Sequence, residues 1–472
     1  MKPLIKNPLL QYLGLSCIAL TVSAQKPKPN IIHIVSDDVG WDDLSCFGSK
    51  DILTPNLDQM AKEGMRFTRF HAPHSTSTPT RAALLTGRYA PRMNEGKGID
   101  VLFPRDTIGV DPQKEVSLAA LLKQQSYHTA VIGKWHTGHQ ERFLPPAHGF
   151  DYYFGIPYPN DMGAERRFGL TNIYHKMPPV PLYRNNEKIK DCDKYDLAEL
   201  PHWFLRETID YIAERAQKGE PFYLHWSIIE THTPWYVPMG FGGTSKAGTF
   251  GDAVEYNDYC VGILMEALKM LNIDDNTLVV YSSDNGQCTK NSLDLEMAYG
   301  KYATIDMNRT HILREGKGQA RYEGGTRVAC VMRWPGVIEQ GAQTDLITTG
   351  ADLFTTFVRL AGGDIPKDRA IDGKDITPIM LGKEAVVHET FYGWTGKGDL
   401  MSVSKGKWKL AIPGVKTWSI ATLDEAQLFD LENDLSEKND VSAQHPEIVK
   451  ELTALAEKAK KAMKEDKPLP LH

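Results

Sequence analysis

Apolar and polar positions along most of the chain follow two alternating patterns. Short, almost continuous apolar runs rich in β-branched residues predict buried strands, and apolar residues spaced three or four positions apart predict helices. The predicted strands are residues 30–36, 127–132, 221–228 and 277–283, and the predicted helices are residues 56–64, 116–125, 204–218 and 254–271. This alternation predicts an α/β fold, with a mostly parallel central sheet sandwiched by helices.

The pattern changes after about residue 385, where short strand-like pieces are separated by turns. Pro446 then opens a helical segment with one apolar stripe and with lysines near its end, which suit the helix dipole. We therefore predict a large α/β domain over residues 25–385 and a smaller antiparallel sheet with one helix over residues 386–472. The predicted strands of the small sheet are residues 390–394, 401–404, 407–411 and 427–431.

Residues 140–200 are rich in Pro, Tyr, Asp and Arg and show little periodicity. We expect them to form long loops over the face at which the parallel strands end. Ligands bind at that face in open α/β sheets, and loops there usually set specificity.

The first 24 residues have the features of a secretory signal. Lys2 and Lys6 precede an apolar stretch over residues 9–22, and small residues follow before the expected cleavage. The stretch is short for a membrane span, and no later part of the sequence is long and apolar enough for one. We expect an exported and most simply periplasmic protein, with secretion or a lipid anchor at Cys17 as alternatives.

The 472 residues carry a formal net charge of −6, and loss of the signal, which contains Lys2 and Lys6 and no acidic residue, changes it to −8. Such a chain is not a general binder of nucleic acid or of sulfated polyanions, so anion binding requires a local positive pocket. Five cysteines remain, an odd number without Cys-x-x-Cys spacing, which disfavours zinc and leaves at least one thiol free. They are Cys46, Cys192, Cys260, Cys288 and Cys330.

Oxygen-donor side chains directly follow the first and the last of the predicted strands. Asp37 and Asp38 follow the first, and Asp284 and Asn285 follow the last. Adjacent carboxylates at the end of a buried strand repel each other and lose hydration, and a divalent cation relieves both costs. Each pair alone also fits a helix cap or a turn. Together they favour a metal site, and hard oxygen donors favour Ca²⁺, with Mg²⁺ possible, over zinc.

Several basic side chains lie at predicted loops or strand ends. A single Lys or His at such a position is more often solvated or part of the core. As a group they supply the positive charge and hydrogen-bond donors that a tetrahedral anion needs. These residues are Arg81, Lys134, His136, His232 and Lys317.

Residues 77–81, Ser-Thr-Pro-Thr-Arg, run into an apolar segment that is typical of a helix. Alone, the five residues also fit an N-capped helix with Pro79 in its first turn. The motif resembles the Cys/Ser-x-Pro-x-Arg signature of the formylglycine-dependent sulfatases, whose first residue is oxidised after translation to an aldehyde. The resemblance implies that Ser77 becomes 3-oxoalanine (formylglycine) and supplies the nucleophile.

The resemblance to this arylsulfatase family of the alkaline-phosphatase superfamily spans nearly all of the chain after the signal. It is strongest to arylsulfatase A and the N-acetylgalactosamine-6-sulfatases, and it implies an alkaline-phosphatase-like fold. The sequence departs from the family at Ser77, usually Cys, which implies a serine-type, bacterial maturing enzyme, and at Thr80, usually Ser or Ala. The matching stretches are residues 30–40, 54–58, 77–88, 133–136, 148–155, 283–286, 316–336 and 351–362.

The family's mechanism implies a metal-bound nucleophile at Ser77. Its hydrated aldehyde would bind the metal together with Asp37, Asp38, Asp284 and Asn285, and one hydrate oxygen would attack sulfur. The aldehyde would be regenerated when sulfate leaves, so water need not attack the ester directly.

The same resemblance gives the basic residues their roles. Arg81 and Lys134 would hold the hydrate, and Lys134, His232 and Lys317 would neutralise the sulfate oxygens. His232 or Lys317 would protonate the leaving alcohol, and His136 would take a proton from the hydrate. The sequence leaves the choice of general acid open.

The implied substrate is a sulfated saccharide cleaved from its free end, with galactose or N-acetylgalactosamine sulfated at position 6 or 4. Residues 154–162 resemble a pocket loop of galactose-type sulfatases, so Asn160 and Asp161 are candidates for binding sugar hydroxyls, although a solvated turn explains them equally well. His139, Arg142 and Trp235 are further candidates.

Two other functions remain open from the sequence. A phosphoesterase of the same superfamily would usually have two zinc ions and ligands rich in His, which the predicted metal ligands here lack. A protein with unconverted Ser77 would bind sulfated glycans without cleaving them.

Overall fold

The computed structural model describes residues 28–163, 178–238, 240–289, 311–383, 385–416 and 421–470. The predicted signal at residues 1–24, including Cys17, lies outside the described residues. Eleven strands form one large sheet. They are β1 Asn30–Ser36, β2 Met65–His71, β3 His128–Lys134, β4 Tyr152–Ile156, β5 Val180–Arg184, β6 Glu187–Cys192, β7 Phe222–Ser227, β8 Thr277–Ser283, β9 Arg327–Arg333, β10 Ala342–Thr344 and β11 Thr348–Thr349.

The strand order is β10-β2-β9-β8-β1-β7-β3-β4-β5-β6, and β11 pairs with β2. The central strands β8, β1, β7, β3 and β4 are parallel neighbours. All seven residues of β1 are buried, as expected for a strand covered on both faces. The carboxyl ends of these strands therefore share one edge of the sheet.

Helices cover both faces of this sheet. Ile32 and Ile34 of β1 pack on one face, and Ile31 and Val35 pack on the other. The helices are α1 Pro55–Lys62, α2 Ser77–Thr86, α3 Met93–Gly96, α4 Leu118–Gln124, α5 Lys194–Lys218, α6 Gly248–Met270, α7 Glu323–Thr326, α8 Gly350–Leu360, α9 Thr377–Met380 and α10 Pro446–Lys464. Helices α1, α5 and α6 contribute to the first face, and α2, α4 and α8 to the second.

A second, antiparallel sheet follows in the chain, formed by β12 Thr390–Trp394, β13 Leu400–Lys405, β14 Trp408–Ala411 and β15 Gln427–Asp430 in that order. Helix α10 packs on it through Leu452 and Leu455, which share a core with Val403 and Leu410. Among the helices that the structure describes, none combines the length and apolar character needed to cross a membrane.

The predicted α/β architecture and the small sheet with its helix are confirmed. The prediction of long loops over residues 140–200 is wrong for the described part of that stretch, which contains β4, β5, β6 and the start of α5. The edge strand β6 escaped detection because five of its six residues are exposed, and polar edge strands lack an apolar pattern.

Helix α5 begins ten residues before its predicted start. Asp193 and Asp196 form a capping box there, and the helix continues through Pro201. Proline usually marks a helix boundary, so the early start was not predicted.

Candidate active site

Four neighbouring parallel strands, β8, β1, β7 and β3, end at one edge of the large sheet, and α2 begins beside them. Every predicted catalytic and metal-binding side chain lies there and is at most 6 % exposed. Buried ionic groups need partners, because loss of hydration is costly. The contacts between these residues therefore determine the chemistry of the site.

Ser77 is the first residue of α2, directly before Thr78 and Pro79. Its hydroxyl does not cap the helix. The Lys134 ammonium donates to Ser77 Oγ at 3.0 Å and to Asp37 Oδ2 at 2.7 Å, and Ser77 Oγ lies 3.5 Å from Asp37 Oδ1. The structure thus brings Ser77, Asp37 and Lys134 together, as the sequence predicted.

Arg81, one turn further along α2, connects the two predicted pairs of oxygen-donor side chains. Its Nε donates to Asp284 Oδ2 at 3.0 Å, and one terminal nitrogen donates to Asp37 Oδ2 at 3.1 Å. The other terminal nitrogen donates to the Lys134 carbonyl at 3.1 Å and to Ser227 Oγ. Such a multidentate guanidinium fixes the orientation of both carboxylates.

A second group of contacts surrounds Asp38. The amide of Asn285 donates to Asp38 Oδ1 at 2.7 Å, and Lys317 Nζ donates to Asp38 Oδ2 at 2.9 Å. Cys288 Sγ lies 3.1 Å from the same Oδ2. Asp38 itself has a φ of 59°, a left-handed conformation that turns the chain sharply after β1 and separates its side chain from that of Asp37.

His232 and Lys317 form a pair beside Asp38. His232 Nδ1 lies 2.7 Å from the Thr233 carbonyl, which can only accept, so Nδ1 carries a proton. His232 Nε2 lies 3.1 Å from Lys317 Nζ and, in the neutral ring, accepts from that ammonium. A proton is therefore shared across Lys317 Nζ and His232 Nε2.

His136 follows Lys134 by two residues. Its Nε2 lies 2.9 Å from the Leu102 carbonyl, so Nε2 carries the proton of the neutral ring. Its Nδ1 is buried and has no hydrogen-bond partner among the described residues. Burial, with Lys134 adding to it, holds the pKa of His136 well below its ordinary value, so Nδ1 presents a lone pair at neutral pH.

The charges of the site shift one another's ionisation. Burial alone would raise the pKa of Asp37, but Lys134, Arg81 and Lys317 outweigh it and lower that pKa. Burial lowers the pKa of Lys134. Asp37 is consequently an anion throughout the physiological range, held between cations.

Two families of known proteins match this chain. The family described as "Sulfatase" matches residues 29–363, and the family "N-sulphoglucosamine sulphohydrolase, C-terminal" matches residues 318–465. The first match covers more than half of the chain and includes every site residue named above. The protein belongs to the sulfatase family. It is therefore a sulfuric ester hydrolase.

Individual relatives of this sulfatase share much of its length. It is 36% identical over 409 residues to the N-acetylgalactosamine-6-sulfatase of Canis lupus familiaris, covering 84% of this chain and 74% of the relative. It is 32% identical to the N-acetylgalactosamine-6-O-sulfatase of Bacteroides thetaiotaomicron, covering 92% and 93% of the two chains. A solved structure from a study of glycosaminoglycan metabolism in Bacteroides thetaiotaomicron matches with a TM-score of 0.78 at 27% identity, covering 92% and 99%.

Sulfatases of this family generally depend on a metal ion and on formylglycine, and the residues of this site fit a metal. Ligand atoms of Asp37, Asp38 and His232 lie within 4.8 Å of one another. Asn285 Oδ1 is buried and accepts no hydrogen bond from any residue that the structure describes, which suits an oxygen ligand. His232 Nε2 lies 3.1 Å from Lys317 Nζ and 3.9 Å from Asp38 Oδ2.

Asn160 and Asp161, two of the predicted sugar-binding residues, lie near His232. Asn160 is buried and donates to the Pro234 carbonyl at 3.1 Å, and Asp161 Oδ1 lies 4.0 Å from His232 Nδ1. Trp235 is different. It is 1 % exposed and packs against Phe250, so it belongs to the core rather than to a sugar site.

Sequence reasoning missed three contributors. Ser227 Oγ accepts from Arg81, Thr231 Oγ1 accepts from the Asp37 amide at 3.3 Å, and Cys288 contacts Asp38. Ser227 is the last residue of β7 and Thr231 follows it closely, so small polar residues at a strand end were the available signal. Among the described residues, no disulfide bond joins Cys46, Cys192, Cys260, Cys288 and Cys330 to one another.

Proposed function

We propose that this sulfatase removes O-sulfate from galactose or N-acetylgalactosamine at the free end of sulfated glycans. The convergence of Ser77 with Lys134 and Asp37, in a buried site with both cations and carboxylates, carries the proposal. The names of the canine and bacterial relatives support N-acetylgalactosamine and favour the 6-position over the 4-position.

Ser77 is the proposed position of the nucleophile. Conversion to formylglycine, 3-oxoalanine, would supply an aldehyde hydrate whose oxygen attacks sulfur. The chain's own contribution is the surrounding charge. Lys134 Nζ lies 3.0 Å from Ser77 Oγ and would neutralise negative charge on that oxygen. Arg81 donates to Asp37 and so holds this carboxylate next to Lys134. The first-turn amides of α2 add positive potential at the same place.

Lys317 and His232 would act on the sulfate and on the leaving alcohol. The Lys317 ammonium lies 2.9 Å from the Asp38 carboxylate and would neutralise a sulfate oxygen. Because Lys317 Nζ and His232 Nε2 share a proton, this pair is the proposed source of the proton for the alcohol. His232 Nδ1 lies 4.0 Å from Asp161 Oδ1, which supports a sugar site next to this pair.

His136 is the proposed base. The hydrogen bond from Nε2 to the Leu102 carbonyl orients the ring and leaves the Nδ1 lone pair available for a proton. The lowered pKa keeps the ring neutral, which a base requires before it accepts a proton.

Asp37, Asp38, Asp284 and Asn285 are the proposed metal ligands, and their oxygen donors favour Ca²⁺, with Mg²⁺ as the alternative. When bound, the cation would supply positive charge that stabilises the charge developing on the reacting oxygens. Arg81 and Lys317 hold three of these side chains in place by direct hydrogen bonds or ion pairs.

Asn160 and Asp161 are the proposed contacts to the sugar. Asn160 Oδ1 is buried and accepts no hydrogen bond from the described residues, so a sugar hydroxyl would supply a missing donor. Matched polar partners of this kind discriminate strongly between sugars, because an analogue without the hydroxyl leaves them unpaired.

The proposal includes export directed by residues 1–24, most simply to the periplasm. It also includes maturation of Ser77 by a serine-type formylglycine-generating enzyme. Both rest on sequence features, namely the signal-like N-terminus and Ser77 in its motif.

The substrate proposal is tested with a panel of monosulfated mono- and disaccharides, beside nitrophenyl sulfate and nitrophenyl phosphate. We expect sulfated galactose or N-acetylgalactosamine to have the highest kcat/KM, with the 6-sulfate ahead of the 4-sulfate. Better turnover of nitrophenyl sulfate, or a preference for glucosamine sulfates, would contradict the assigned sugar. Dominant phosphatase activity would favour the phosphoesterase function, and tight binding without turnover would favour a glycan-binding function.

A further inference from the structure

Lys317 reaches the site differently from the other cations. Lys134 ends a parallel strand and Arg81 lies on α2, whereas Lys317 lies on the connection that leads through α7 into β9. We call residues 314–323 the Lys317 segment. Its position is set by whatever this segment contacts.

Two backbone hydrogen bonds connect the Lys317 segment to residues next to the active site. The Lys317 amide donates to the Gln287 carbonyl at 2.9 Å, and the Gly318 amide donates to the Ser75 carbonyl at 2.8 Å. Ser75 lies two residues before Ser77, and Gln287 lies two residues after Asn285. A displacement of the segment would therefore move Lys317 relative to both.

The other side of the Lys317 segment is held by the small sheet and the chain around it. Ser402 of β13 donates to the Ala320 carbonyl at 2.5 Å. Arg321 donates to the Val415 carbonyl at 2.9 Å and to the Ala421 carbonyl at 2.7 Å. Gly393 of β12 approaches so closely that an added Cβ would lie 2.4 Å from the Ala320 carbonyl oxygen.

A buried ionic cluster lies at the end of the same segment. Lys409 of β14 donates to Glu323 Oε1 at 2.8 Å and lies 3.5 Å from Glu437 Oε1. Glu437 in turn accepts from the Glu323 amide at 2.7 Å. The side chains of Lys409, Glu323 and Glu437 are 0 % exposed, and Arg327 and His71 also contact Glu323.

A fully buried ionic cluster is a poor source of stability, because the loss of hydration offsets most of the attraction. Its directional bonds do fix one geometry, since any shift of Glu323 would leave buried charges unpaired. Glu323 is six residues from Lys317 on a segment held at both ends, so the cluster restricts where the Lys317 ammonium can lie.

We propose that Lys409, on the small sheet, is a positioning residue that acts through Glu323 to hold the Lys317 ammonium against Asp38 and His232. The inference rests on the proposed function of Lys317 in sulfate-ester cleavage. It assigns the small sheet a part in the reaction even though Lys409 contacts neither Asp38 nor Ser77.

The test is a double-mutant cycle on the sulfated sugar that the panel identifies as the best substrate. Lys409→Met should lower kcat/KM by about 10- to 100-fold, because small misplacements of a catalytic group have effects of this size. In a Lys317→Ala background the same change should have little further effect. Lys407→Met is the matched control, since the Lys407 ammonium pairs with Asp430 of β15 rather than with Glu323; it should retain wild-type kcat/KM.

Equal losses for Lys409→Met in both backgrounds would overturn the proposal, because they would show a general structural effect. If Lys409→Met does not fold, Ser402→Ala provides the same cycle with a smaller expected loss, about 3- to 10-fold from one hydrogen bond. Additivity of Ser402→Ala with Lys317→Ala would likewise contradict the proposal.

Hydrogen exchange separates this proposal from the proposed function. Lys409→Met, or Ser402→Ala if the former does not fold, should accelerate exchange at the amides of Lys317 and Gly318 while leaving those of β8 unchanged. This readout requires no substrate, so it remains decisive even if the wild-type protein cleaves no sulfate ester. Unchanged exchange at both amides would overturn the proposal.

Discussion

The two sheets of this sulfatase serve the active site in different ways. The large sheet delivers residues directly, since Asp37, Lys134 and Asp284 follow or end strands that finish at one edge. None of the site residues named above belongs to the small sheet, yet Ser402 and Lys409 of that sheet hold the segment that carries Lys317. Side chains at the ends of parallel strands are positioned by the sheet itself. A side chain on a long connection, such as Lys317, is positioned by contacts from outside the large sheet.

Ser77→Ala should have the largest effect and tests the large-sheet side of the comparison. Without its hydroxyl the position cannot become the nucleophile, so turnover of the best sulfated sugar should fall by at least about 10⁴-fold. The melting temperature should stay close to wild type, because Ser77 Oγ does not cap α2. Ser77→Cys, coexpressed with a cysteine-type maturing enzyme, should recover activity; substantial activity of Ser77→Ala would refute the assignment.

Lys134→Met should have the next largest effect. Removal of the cation beside Ser77 and Asp37 should lower kcat about 10²- to 10³-fold, the range found for single electrostatic donors. Lys123→Met removes an exposed ion pair with Asp151 near the same strand and should leave kcat unchanged. If Lys134→Met lowers catalysis no more than Lys409→Met does, the proposed difference between direct and indirect positioning would be wrong.

Removal of the metal should destabilise the edge of the large sheet more than the small sheet. A ligand that binds only the folded state adds about 2.7 kcal/mol when present at 100 times its Kd. Chelation should therefore lower both activity and melting temperature, and Ca²⁺ should restore both. Elemental analysis with stoichiometric zinc and neither calcium nor magnesium would contradict the proposed ligand set.

The smallest predicted effect is a pH dependence of folding stability, caused by the buried Glu437 near the small sheet. Burial, with Glu323 adding to it and Lys409 opposing it, raises the pKa of Glu437 from 4.5 to about 7. The folded state therefore binds this proton more tightly than the unfolded state. The resulting stabilisation is complete below about pH 4.5 and is lost as the pH rises to about 7.

This effect is measured as the melting temperature of wild type and Glu437→Gln at pH 5 and pH 8. Wild type should lose stability relative to Glu437→Gln between the two values, by a few degrees. Glu451→Gln alters an exposed pair with Lys405 and should follow wild type. Parallel pH profiles for wild type and Glu437→Gln would contradict a buried proton on Glu437.

The sequence predicted the residues that the large sheet positions, because a strand followed by Asp37-Asp38 or Asp284-Asn285 is a local pattern. It also placed Ser77 at a helix start from its motif. The roles of Ser402 and Lys409 could not be predicted from a local pattern. Ser402 contacts a residue 82 positions away and Lys409 one that is 86 positions away, and a buried lysine resembles a surface lysine in the sequence. Polar edge strands such as β6 were missed for a related reason, since their role depends on neighbours rather than on their own pattern.

The most direct test of the account is the mass of the peptide that contains Ser77, taken from active enzyme coexpressed with a serine-type maturing enzyme. We expect a peptide two hydrogens lighter than the encoded sequence, with a carbonyl that reacts with hydrazides. We also expect turnover of the sulfated sugar to rise in proportion to the converted fraction. Full sulfatase activity in protein whose Ser77 peptide has the unmodified mass would contradict this prediction.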